Sequence, residues 1–211
     1  MCRLLFVKSK TEFEIKDHLL PFSSIAENSK EYQGHGWGCS YLVEGIWKHY
    51  KNIKPIWQDD ISQFGKTKRL IVHVRSAFQD KDIFVENNMP FYDDKYIFIF
   101  NGELQGVKIK AEGRIGAEKI FNFIKRFDKG DMKSALQKGI EIINKRSKYV
   151  RAMNIIITDK ENTFVSSTYN EDPDYFGMSF KKDDNTTVIC SQIYPNETNW
   201  TKIENNSLGV Y

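Results

Sequence analysis

The chain has 211 residues, 40% hydrophobic and 14% aromatic. That is enough apolar surface for a sizeable core, and it excludes disorder over most of the length. Thirty-one basic against 28 acidic residues leave a net charge of +3, which points to neither nucleic acid nor an anionic membrane as a partner.

No apolar run approaches the roughly 20 residues of a membrane-crossing helix. Lys8 and Lys10 interrupt the apolar start Leu4-Leu5-Phe6-Val7, so no signal-peptide core forms. Cys2, Cys39 and Cys190 are too few for a disulfide framework and suit a reducing compartment. A cytoplasmic location is expected. The prolines are scattered and no Gly/Ser-rich stretch divides the chain, so a single domain over residues 1–211 is expected.

Arg3 to Val7 is predicted as a short apolar strand, and Phe13 to Ile25 as a helix broken near Pro21. Trp37 to Val43 and Ile46 to Tyr50 read as a hairpin turning at Glu44-Gly45, and Asp59 to Phe64 as a short helix. Arg69 to Arg75 and Lys95 to Phe100 are predicted strands, the second nearly continuous in apolar residues, as when both faces are buried. Two amphipathic helices follow, with stripes at Ala117, Ile120, Phe121, Ile124 and Phe127, then at Met132, Ala135, Leu136, Ile140 and Ile143. Strands return at Met153 to Thr158, Thr163 to Thr168, Tyr175 to Phe180, Thr187 to Cys190 and Leu208 to Tyr211. One sheet would leave too many apolar strand faces bare. Two sheets packed together with helices outside would cover them, so the expected class is α+β.

Four places are candidates for chemistry, each with a plain structural alternative; for Cys2 that alternative is a small second residue with no role. Cys2 follows Met1, and methionine is removed before small residues; removal would put a free α-amine and a thiol on one residue. An α-amine titrates at about 7.7–8.0, so it could serve as base for its own side chain. In Arg69 to Arg75 the two-residue period puts Ile71, His73 and Arg75 on one face. Arg75 there either holds a carboxylate through its planar fork, makes an internal ion pair, or marks a strand end that has reached solvent, and His73 is either a core histidine or part of the same site. Asn101-Gly102 directly follows a strand. It is either an oxyanion hole at the strand end or the turn of a hairpin returning through Glu103 to Ile109. Gly34-His35-Gly36-Trp37-Gly38 marks backbone that turns sharply or approaches another group closely. It lacks the spacing of a dinucleotide fingerprint, Gly65-Lys66-Thr67 lacks the first glycine of a P-loop, and no Cys/His spacing suits zinc. No cofactor and no metal are expected.

Taken in order, Met1-Cys2-Arg3-Leu4-Leu5, Gly36-Trp37-Gly38, His73-Val74-Arg75-Ser76-Ala77, Asn87 with Pro90-Phe91, Phe100-Asn101-Gly102, and Glu118 in an early helix resemble the class II glutamine amidotransferases. The nearest likeness is to their stand-alone bacterial and archaeal subgroup. Ser191, Trp200 and the closing Leu208 to Tyr211 look like that subgroup's C-terminal strands. The resemblance implies an N-terminal-nucleophile hydrolase fold, a four-layer αββα sandwich. It implies Cys2 as nucleophile with its own α-amine as base, and Asn101 and Gly102 as oxyanion hole. Arg75 would take the substrate α-carboxylate, with His73, Gly36 and Trp37 in the substrate site.

The reaction implied is hydrolysis of a glutamine-like amide through a Cys2 thioester, releasing ammonia or an amine. Expected partners are a small amide substrate and a separate ammonia-accepting synthase; nucleic acid and membrane are not expected, and self-association is compatible with the reading. Three positions depart from the family. Gly116 stands where an aspartate for the α-ammonium is usual, Met89 where a histidine commonly precedes Pro90, and His35 where an aspartate commonly precedes Gly-Trp-Gly. Glu112 and Glu118 are the nearest acids to Gly116. These departures leave a second reading, a non-catalytic relative that keeps the fold for binding.

Overall fold

The computed structural model describes residues 1–211. In chain order the elements are β1 (Arg3–Glu14), α1 (Ile15–Glu27), β2 (Trp37–Val43), β3 (Ile46–Asn52), β4 (Lys66–Val74), β5 (Phe91–Tyr92), β6 (Ile97–Gln105), α2 (Gly116–Lys125) and α3 (Met132–Lys145). Then come β7 (Tyr149–Thr158), β8 (Thr163–Ser167), α4 (Pro173–Phe176), β9 (Ser179–Lys182), β10 (Thr186–Cys190), β11 (Thr201–Lys202) and β12 (Ser207–Val210). All strand pairs are antiparallel, so the class is α+β, as expected. No helix is long and apolar enough to cross a membrane. The chain divides into two compact units, Met1–Pro90 with Gly177–Ile203, and Phe91–Phe176 with Glu204–Tyr211.

The first unit holds a seven-stranded sheet in the order β11-β9-β10-β1-β4-β2-β3. Alternation along its central strands sends Leu5, Val7, Leu70, Val72, Val74, Trp37 and Cys39 to one face, into a common core with Ile15, Leu19, Phe22 and Ala26 of α1. Those α1 residues recur every three or four positions, the period of one helix face. Helix α1 runs unbroken through Pro21 and starts only at Ile15; Phe13 lies in β1, which ends at Glu14. Burial of Leu19 and Phe22, worth about 1.5–3 kcal/mol each, offsets a proline penalty of about 3 kcal/mol. The predicted helix over Asp59 to Phe64 is a single 3-10 turn, Ile61–Gln63, capped by Asp60.

The second unit holds a five-stranded sheet in the order β12-β8-β7-β6-β5. Ile97 to Phe100 are buried on both faces of β6, and Phe98 stacks on Phe121 of α2 at 4.9 Å. Helix α3 is capped by Asp131, whose carboxylate accepts from the Ser134 N–H at 3.1 Å. A Cβ on Gly139 would lie 2.8 Å from Ile124, so glycine is what lets α3 approach α2 this closely. The predicted strand over Tyr175 to Phe180 is corrected: Pro173 opens the short turn α4, with Tyr175 and Phe176 donating to the Asp172 carbonyl at 2.9 and 3.0 Å. The strand begins only at Ser179.

Candidate active site

Strand register builds the site in the first unit. Arg3 lies opposite Val74 and Leu4 opposite His73, while Trp37 pairs with Val74 from the other side. One step outward, Cys2, Arg75 and Gly36 share the next rung. The Arg75 N–H donates to the Gly36 carbonyl at 2.9 Å, and the His35 N–H to the Arg75 carbonyl at 3.2 Å. Residues opposite one another across a sheet project to the same face. Cys2 and Arg75 therefore share the face of Leu4 and His73, opposite the α1 core.

The Cys2 thiol donates to the Ser76 carbonyl at 3.6 Å. Burial pushes this thiol up, and the Glu31 carboxylate adds to that, while the chain's terminal ammonium and the Arg75 guanidinium pull it down. Arg75 is only 6% exposed and makes no ion pair. Burial lowers its pKa, and its Nη1 donates to Asn88 Oδ1 at 3.5 Å. Asn88 in turn donates from Nδ2 to the Asn52 carbonyl at 2.8 Å. Gly36 has φ +99°, and a Cβ there would lie 2.2 Å from Asn88 Nδ2 and 2.6 Å from the Asn52 carbonyl, so the position requires glycine. His73 is fully buried between Leu4 and Gly38 of the neighbouring strands.

Trp37 points the other way. Its indole is fully buried in the α1-side core and donates to Asp59 Oδ2 at 2.9 Å. The same oxygen accepts from Tyr50 and Asn52, each at 2.8 Å. The side chain thus fixes the start of β2 from beneath, and only its backbone lies in line with Gly36. His35 Nδ1 accepts from the Ala77 N–H at 2.9 Å, which leaves its proton on Nε2, 3.5 Å from Asp80. It staples the turn after Arg75.

A strap before β2 holds the chain start. Glu31 pairs with the Met1 ammonium. Gln33, fully buried, donates from Nε2 to the Met1 carbonyl at 2.5 Å and to the Glu31 carbonyl at 2.9 Å. Neither residue carries a sequence signal, and nor does Asn88 beyond its place before Met89-Pro90.

Asn101 and Gly102 belong to the second unit, and they lie inside β6, not at its end. The strand runs on to Gln105, with Asn101 opposite Asn154 and Gly102 opposite Met153, so the hairpin through Glu103 to Ile109 does not form. A Cβ on Gly102 would lie 2.2 Å from the Ala152 carbonyl; the glycine serves a close approach of two backbones, not a turn. Asn101 is fully buried, and neither its Nδ2 nor its Oδ1 has a hydrogen-bond partner. A buried amide left unpaired costs about 1–3 kcal/mol, an expense that is uncommon without a ligand to meet it.

Gly116 opens α2, with nothing within 4 Å of where its Cβ would be. Glu118 is engaged by Arg114, through the backbone N–H at 2.6 Å and a two-pronged contact at 2.9 and 2.7 Å. No group of His, Cys, Asp or Glu side chains is arranged to hold a metal ion.

No protein-family model matches the chain, and no curated protein matches its sequence. Solved structures do match. A glutamine aminotransferase class-II domain protein from Silicibacter pomeroyi superposes with a TM-score of 0.69 at 11% identity, over 99% of this chain and 94% of that one. The fold is that of class II glutamine amidotransferase domains. A predicted glutamine amidotransferase from Pseudomonas aeruginosa shares it with a TM-score of 0.62 at 14% identity, covering 100% of this chain and 97% of the other. The glutamine phosphoribosylpyrophosphate amidotransferase of Bacillus subtilis shares it at 0.66 and 14% identity, with this chain spanning 49% of its length. The amidotransferase likeness covers both units and agrees with the N-terminal-nucleophile hydrolase fold.

Proposed function

We propose that residues 1–211 act as one N-terminal-cysteine amidohydrolase of the glutaminase or amidotransferase type. Removal of Met1 frees the Cys2 α-amine, which takes the thiol proton. The thiolate attacks the side-chain amide carbon of a glutamine-like substrate. Asn101 Nδ2 and the Gly102 N–H donate to the oxyanion, the Cys2 α-ammonium returns its proton to the leaving nitrogen as the C–N bond breaks, and water hydrolyses the Cys2 thioester. Arg75 holds the substrate α-carboxylate, with the Gly36–Trp37 backbone and His73 framing it. The chemistry needs no cofactor. Ammonia is released or passed to a separate synthase, and the setting is cytoplasmic.

The observation that carries this reading is Arg75, a buried guanidinium on the same rung as Cys2 with no carboxylate of its own. Such a charge is costly unless a partner arrives.

A second reading, a non-catalytic binding protein, follows from Gly116, Met89 and His35 standing where the family carries other residues. Intact mass and a glutamine-analogue affinity label on wild type and Cys2→Ala separate the two. Met1 removed and a label that needs Cys2 support the hydrolase; Met1 retained with no label supports the binding protein.

A further inference from the structure

We propose that, once Met1 is gone, Glu31 binds the α-ammonium of a free amino-acid substrate. This rests on the amidohydrolase reading and names its substrate class. The unprocessed chain already displays the recognition, because the group paired with Glu31 is itself an α-ammonium, that of Met1. Met1 is enclosed at 12% exposure, so its removal opens a space about the size of one amino acid, while Glu31, at 30% exposure, stays at the rim. Gln33 is fully buried and bonded to the Glu31 carbonyl, which fixes the strap independently of Met1.

The charges around the nucleophile fit the same ligand. Cys2 lies in the field of one carboxylate, Glu31, and one guanidinium, Arg75. A zwitterionic amino acid presents the complementary pair, ammonium to Glu31 and carboxylate to Arg75. A substrate blocked at its α-nitrogen or joined there in a peptide would forfeit the first contact. The competing role for Glu31, holding the Cys2 amine itself, would raise that amine's pKa and oppose its use as a base.

The test measures binding by calorimetry to the full chain as Met1-free Cys2→Ser, with residue 31 as Glu, Asp or Gln. The ligands are L-glutamine and 4-carbamoylbutanoate, which is glutamine without its α-amine. Glu31→Gln is expected to weaken L-glutamine about ten- to a hundredfold and leave 4-carbamoylbutanoate unchanged, with Glu31→Asp recovering part of the loss. Equal weakening of both ligands, or no change for glutamine, would overturn the assignment, as would no binding of glutamine with Glu31 intact. Cys2-dependent labelling with any of those results removes only the Glu31 role. No labelling of wild type removes the hydrolase reading and this one with it.

Discussion

Asn101 and Asn154 face each other across β6 and β7, both fully buried, and only one is satisfied. Asn154 donates to the Phe176 carbonyl at 2.7 Å and accepts from the Thr168 N–H at 3.0 Å, whereas both polar atoms of Asn101 stand unpaired. The two residues should therefore separate stability from activity. Asn154→Ala strands two buried backbone groups and is expected to cost about 2–4 kcal/mol in urea unfolding. Asn101→Ala loses no hydrogen bond and should cost under about 1 kcal/mol, yet lower ammonia release about 10²–10³-fold. Equal stability losses would contradict this.

Arg75 invites the same division. Removing a buried charge that has no counter-ion relieves a desolvation cost. Arg75→Met is expected to unfold at a temperature equal to or above that of wild type, while turnover of α-carboxylate substrates falls by at least about tenfold. Paired thermal melts and ammonia assays check both halves; a clearly lowered melting temperature would show that the guanidinium stabilises the fold.

Gly36→Ala should do the reverse and harm the scaffold. The new methyl would press on the Asn88 amide and the Asn52 carbonyl at a left-handed φ. A loss of about 1–3 kcal/mol is expected by denaturant titration, with Gly45→Ala, where no atom lies within 4 Å of the added carbon, losing less.

His18 gives a pH signature. Its ring bonds the Tyr194 hydroxyl at 3.0 Å, and burial, reinforced by Lys181, lowers its pKa from 6.5 to about 4. The unfolded chain takes up this proton near pH 6.5 and the folded chain only near pH 4. The contribution is therefore whole above pH 6.5 and is lost as pH falls toward 4, at up to about 1.4 kcal/mol per pH unit. His18→Gln is expected to reduce the slope of the stability profile across that window, where His35 and His49, also lowered by burial, act as well. The lowered carboxylates Asp59, Asp93 and Asp128 have an ordinary value of 3.8 and act mainly below it. An unchanged slope in the variant would exclude His18 as the source.

The central strands of both sheets are legible because their burial repeats every two residues or runs unbroken, as in Arg69 to Val74 and Ile97 to Phe100. By contrast, β5 and β11, two residues each, carry no such signal, and β9 starts later than its sequence suggests. The common face of His73 and Arg75 is legible too. The extent of α1 is less so: local chemistry says that Pro21 breaks a helix, and only tertiary burial of its neighbours says otherwise. Asn101-Gly102 misleads in the other direction, since a dipeptide that favours a turn also suits a strand whose neighbour comes too near for a Cβ. Glu31, Gln33 and Asn88 have no periodicity to betray them. They are polar loop residues whose importance comes from chain segments far away in sequence. Cys2 and Arg75 stand out as residue types, but their adjacency follows from the pairing of β1 with β4.

The double grip on Met1 also sets a schedule. A peptidase needs an extended, accessible terminus, and here the first residue is enclosed with both its nitrogen and its carbonyl engaged. If Met1 is to be trimmed, that must happen before Glu31 and Gln33 close on it. On the amidohydrolase reading, a molecule that folds first would keep its methionine and with it a blocked nucleophile, so the labelled fraction of a preparation would follow the order of trimming and folding.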